Sequence, residues 1–69
     1  MEEHITTLNA QQTSERLRAL GMKVSPEKVR NGIQNGAYPF GDYIMIDRQP
    51  SVTIYKTLLD DWIAARLDR

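Results

Sequence analysis

Within the stretch SPEKVRNGIQNGAYPFG, residues 25–41, Arg30, Asn31 and Gln34 fall inside five consecutive positions. A guanidinium and two carboxamides on one side of a helix are groups that pair with base edges: arginine with guanine, asparagine and glutamine with adenine. Glu27 and Lys28 share that polar side, while Val29 and Ile33, four apart, mark the opposite one as inward-facing. Ser25 opens the stretch, and a helix start with nearby lysines, here Lys28 and Lys23, suits a phosphate. Arg48, farther along, adds one more cation that could reach a nucleic-acid backbone. The residues expected to touch DNA are therefore Ser25, Glu27, Lys28, Arg30, Asn31 and Gln34, with Lys23 and Arg48 beside them.

Other chemistry finds little to work with. Nucleophilic catalysis needs a base next to its nucleophile, and the one histidine is His4, near the chain start. Asp60 and Asp61 are adjacent, so on a helix their carboxylates diverge by about 100 degrees instead of converging on an ion. They read better as favourable charge at a helix start. GAYPFG has two glycines, yet Pro39 and its aromatic neighbours suit a packed turn better than an anion cradle. No catalytic residue, metal site or cofactor is expected.

Composition sets the remaining limits. Sixty-nine residues with 41% apolar content suit one small domain of modest stability, on the order of 5 kcal/mol. Without cysteine there is no disulfide or thiolate site to reinforce it. No apolar run approaches the roughly 20 residues of a membrane span, and the opening MEEHITTLN is acidic where a signal peptide is basic, so a cytoplasmic protein is expected. Nine basic and nine acidic residues cancel, which argues against a binder held to phosphates by bulk charge. The cations are concentrated, however: residues 15–34 carry five bases against two acids. That surplus surrounds the quoted stretch.

The elements that would hold these residues follow from spacing. LNAQQTSERLRALG predicts a first helix with Asn9 as cap, Gln12 in the capping-box position and Gly21 as stop. Its inward stripe is Ala10, Thr13, Leu17 and Leu20. After the connector MKV, Ser25 caps a second helix with Pro26 at its first position, spanning 26–35 and ended by Gly36. Residues 43–46 and 52–55 predict a hairpin around DRQPS, with Ile44 and Ile46 on the face of Val52 and Ile54. Thr57 and Asp60 are spaced as a cap pair for a third helix whose apolar stripe is Leu58, Leu59, Trp62, Ile63 and Leu67. Residues 1–6 and 68–69 are expected to fray.

Helix, connector, helix, hairpin and helix in that order describe an α+β fold, a small winged helix-turn-helix over residues 1–69. The chain also resembles the excisionases and related MerR-type winged-helix proteins of phages and mobile elements. The resemblance rests on Leu8, Thr13, Ser14, Leu20, Gly21, Val24, Ser25, Val29, Arg30, Ile33, Gly36 and Pro39, and on the tail IYKTLLDDWIAARL. The turn RAL before Gly21, the connector MK, and Asp42 and Asp47 beside a single Arg48 depart from the family pattern. The resemblance implies an architectural factor that binds double-stranded DNA, self-associates cooperatively on it, bends it and steers an integrase or other recombinase toward excision. A small transcriptional regulator of the same fold, or an antirepressor-like protein-interaction module that binds no DNA, are the alternatives.

Overall fold

The computed structural model describes residues 3–68. In chain order it contains β1 (Thr7–Leu8), α1 (Ala10–Ala19), α2 (Pro26–Gln34), β2 (Gly41–Ile46), β3 (Gln49–Tyr55) and α3 (Lys56–Ala64). The fold is α+β: three helices and a three-stranded antiparallel sheet ordered β1–β3–β2. Leu17, Val29, Ile33, Phe40, Ile54, Leu59 and Ile63 meet in one apolar core, so every helix and the central strand contribute to it.

Both ends of α1 are closed by hydrogen bonds. Asn9 Oδ1 accepts from the Gln12 N–H at 2.7 Å, and Gln12 Oε1 accepts from the Asn9 N–H at 3.0 Å, a complete capping box. At the other end Gly21, at φ +94°, lets its N–H reach the Arg18 carbonyl and the Met22 N–H reach that of Leu17, both at 3.0 Å. This Schellman closure turns the chain so sharply that Leu20 is left half exposed rather than joining the inward stripe expected of it. Ala10, Thr13, Ser14 and Leu17 form the buried face instead, the two hydroxyl residues fully buried.

In α2, Ser25 Oγ accepts from the Lys28 N–H at 3.1 Å and Pro26 occupies the first turn. Val29 and Ile33 are its buried residues, as their spacing requires. Gly32 interrupts good helix formers for a packing reason: a Cβ there would lie 2.3 Å from Tyr38 Cδ2. The Tyr38 ring lies directly against the helix backbone. Gly32→Ala should therefore lose about 1–3 kcal/mol in a denaturant titration, although alanine has the better helix propensity. A gain would mean that the ring does not hold this position.

The sheet departs from the sequence reading in three ways. First, β1 exists: Thr7 pairs with Tyr55 and Leu8 with Ile54, and the Thr6 carbonyl accepts the Lys56 N–H at 2.9 Å, so the chain is tied down from Thr6. A two-residue strand leaves no period to detect. The expected fraying at residues 1, 2 and 69 falls outside the described residues. Second, the hairpin turn is Asp47–Arg48 alone, since Ile46 pairs with Gln49, and both turn residues have positive φ (47° and 67°), the pattern of a type I′ turn. Third, that shorter loop changes the faces. Tyr43 is opposite Val52 and Gly41 opposite Ile54 on the core side, whereas Ile44 and Ile46 are opposite Ser51 and Gln49 and face water.

Helix α3 follows β3 without a loop. Thr57 is not its cap: the helix begins at Lys56 with Tyr55 as a cap residue that makes no side-chain cap bond, and the N–H groups of Tyr55 and Lys56 are taken by the carbonyls of Phe40 and Thr6. Leu59 and Ile63 are buried, while Leu58 is exposed because only one narrow side of so short a helix meets the core, and Leu67 is exposed beyond the end of the helix at Ala64. Trp62 packs edge-on against Phe40 and Tyr38, with centroids 5.2 and 5.7 Å away, and Tyr38 stacks on Phe40 at 5.4 Å. Tyr38, Phe40 and Pro39 thus make a packed corner.

Candidate nucleic-acid interface

The polar side of α2 is open. Glu27, Lys28, Arg30, Asn31 and Gln34 are all exposed, and Val29, at 0% exposure, anchors the helix from behind. None of these five side chains forms an ion pair or a hydrogen bond among the described residues. A helix this short keeps its place through packing, which frees its outer side chains from any structural duty. Arg30, Asn31 and Gln34 thus retain their full donor and acceptor capacity.

The start of α2 works differently from the sequence expectation that free N–H groups there would hold a phosphate. Pro26 has no N–H, Ser25 Oγ takes that of Lys28, and the Ser25 carbonyl takes that of Val29 at 3.1 Å. Glu27, itself acidic, has the remaining N–H of that turn. Ser25 is consequently an internal cap first. The cations nearby are better placed: Arg18, Lys23 and Lys28 line one open depression of about 590 Å³, together with Gly21, Met22, Val24 and Ser25. Side-chain charge, rather than backbone dipoles, dominates this end of the helix.

Residue type and spacing favour Arg18, like Arg16, as a surface residue of its own helix, with a phosphate contact as the lesser alternative given its place beside the connector; the structure sets Arg18 next to Lys23 and Lys28. Its recruitment depends on the left-handed turn at Gly21, which folds Lys23 back toward the end of α1. Arg16 differs again: it pairs with Asp60 on α3, which also accepts from Lys56 Nζ at 2.8 Å. Those two contacts, Lys56 first and Arg16 second, hold the Asp60 carboxyl below the ordinary carboxylate range. Arg16 is thereby engaged in joining α1 to α3.

Arg48 is not brought to this group. It occupies the hairpin turn beyond Ile46, and Ile46 is itself five residues along β2 from Gly41, where the strand meets Ile33 of α2; at about 3.4 Å per residue that is roughly 17 Å. Asp42, at the base of the hairpin, accepts from the Tyr55 hydroxyl at 2.6 Å, and this bond raises the Tyr55 pKa. The hairpin therefore carries one acid, Asp47, and one base, Arg48, at its tip and apolar side chains behind them.

Among the described residues no group of three or more histidine, cysteine, aspartate or glutamate side chains is placed to hold a metal ion, and no helix is long and apolar enough to cross a membrane. Seven of the eight sequence-predicted residues lie on or beside α2, the eighth at the hairpin tip. Comparison of the chain with protein-family models, curated proteins and solved structures returns no match.

Proposed function

We propose that this chain is a small winged helix-turn-helix protein that binds double-stranded DNA, with α2 in the major groove and the β2–β3 hairpin as its wing. The observation that carries this reading is the uncommitted polar face of α2. Arg30 is suited to a guanine, and Asn31 and Gln34 to adenines. Arg18, Lys23 and Lys28 would contact phosphates on one side and set the register without specifying sequence. With so few base-reading groups, discrimination would draw on DNA deformability as well, as in proteins that bend their sites. This fits an excisionase-like architectural factor of a phage or mobile element, acting with a recombinase. A promoter-bound regulator would use the same face.

The test is fluorescence anisotropy with duplexes from the neighbouring genome at several salt concentrations. Wild-type protein should bind, and log K should fall linearly with log salt. Neutralising Arg18, Lys23 and Lys28 together to glutamine should reduce the slope by about 2–3, since each lost phosphate contact is worth about 0.9. Absence of binding at low salt would reject the DNA reading. Net charge of zero favours, in that case, the antirepressor-like interaction module.

A further inference from the structure

Two of the leucines that helical spacing expects on inward stripes are left exposed, Leu20 at 52% and Leu67 at 51%, and both line one recess between the ends of α1 and α3. Leu17 and Ile63, which are buried, lie deeper in it, and the half-buried Trp62 contributes a further wall. The recess holds about 120 Å³. An apolar cavity of about 150 Å³ admits a benzene ring, so this one, open to solvent on one side, suits a group of that size.

One charged side chain borders the recess. Arg66 lies beyond the end of α3, where its N–H and that of Leu67 both donate to the Ile63 carbonyl, at 2.9 and 3.0 Å, and fix the turn. Its guanidinium is 4.1 Å from the centroid of the Trp62 ring, and Nη1 donates to the Trp62 carbonyl at 3.2 Å. Stacking and that bond hold the planar group in place, yet it pairs with no carboxylate among the described residues. Its other N–H donors remain free, in the fork geometry that suits a carboxylate.

We propose that this recess binds a small aromatic monocarboxylate, with its ring against Leu17, Ile63 and Trp62 and its carboxylate on the Arg66 guanidinium. Volume and charge together select that class, since apolar walls with one positioned polar group are the usual composition of a small-molecule site. A compact anion such as phosphate would leave the apolar walls wet, and a neutral hydrocarbon would gain nothing from the guanidinium. An amphipathic helix needs a row of anchor points three and four residues apart, whereas this recess takes a single ring. A ligand of about ten non-hydrogen atoms should bind here with a Kd on the order of 0.1–1 mM. The recess shares no residue with α2, so the proposal stands or falls apart from DNA binding.

Trp62 is the only tryptophan of the chain, so its fluorescence reports occupancy directly. Titration of the full chain with phenylacetate should give a saturable change. Phenethyl alcohol, which keeps the ring and lacks the charge, should bind about tenfold more weakly, and acetate, which keeps the charge and lacks the ring, should give no change. Arg66→Gln should lower the affinity for phenylacetate about tenfold and leave the far-ultraviolet circular dichroism spectrum unchanged, because the side chain is exposed. Amide shifts in isotope-labelled protein should centre on Leu17, Leu20, Ile63 and Leu67. No saturation by about 10 mM phenylacetate, well above the expected Kd, would overturn the proposal. So would equal binding of acid and alcohol, or an Arg66→Gln variant that binds like wild type. Concentration-dependent broadening at those four amides in ligand-free protein would assign the recess to a second copy of the chain and overturn it as well.

Discussion

Phe40→Ala should remove most or all of the stability of the folded state at ambient temperature. Phe40 is fully buried, stacks on Tyr38 and meets Trp62 edge-on, so its ring joins the corner after α2 to α3. Removing a buried phenylalanine ring costs about 3–5 kcal/mol. A domain of this size has roughly 5 kcal/mol in total, and the other interactions have little reserve. Thermal unfolding followed by circular dichroism should therefore show a sharp transition for wild type and a flat or strongly lowered one for the variant. A midpoint within a few degrees of wild type would mean that Tyr38 and Trp62 close over the gap.

Arg30→Ala carries the second large effect, and it falls on binding rather than folding. The side chain is exposed and has no partner among the described residues, so the thermal midpoint should be unchanged. Loss of a bidentate contact to guanine costs about 1–3 kcal/mol of discrimination, roughly ten- to a hundredfold in affinity for the preferred site. Affinity for unrelated duplex should fall much less, because that binding comes from phosphate charge. Competition binding with specific and random duplexes separates the two. Equal losses on both would assign Arg30 to the backbone.

The helices were legible because their signals are local. Asn9 and Gln12, Ser25 and Pro26, and Gly21 and Gly36 act within a few residues of themselves, and each operates as its type suggests. The pair Val29 and Ile33 then determined which side of α2 would be wet. What escaped depends on partners distant in sequence. Strand β1 has two residues and exists only because Tyr55 and Ile54 offer it a ladder. The turn at Asp47 and Arg48 lacks the glycine that usually announces a type I′ loop, and misplacing it by a few residues exchanged the faces of Ile44 and Ile46. Thr57 lost its capping role because β3 runs directly into α3, which places Thr57 inside the first turn and Tyr55 at the cap.

The candidate site divides along the same line. Arg30, Asn31 and Gln34 could be found by helical periodicity, since exposure on one short helix is a local property. For Arg18 the sequence offered only its nearness to the connector, which ranked it below the α2 residues, because its position beside Lys23 and Lys28 depends on the path of the chain after Gly21. Ser25 acts as the cap its position predicts, and its bond from the Lys28 N–H removes one of the backbone donors expected to hold a phosphate at this helix start.

The central claim is that the wet side of α2 meets DNA, and an amide-resolved NMR titration with short duplex DNA at low salt addresses it most directly. Non-specific binding suffices, because phosphate contacts alone bring the helix to the groove. The resonances of Glu27, Lys28, Arg30, Asn31 and Gln34, with those of Arg18 and Lys23, should shift together and return as salt is raised. Shifts confined to β2 and α3, with α2 unmoved, would contradict it.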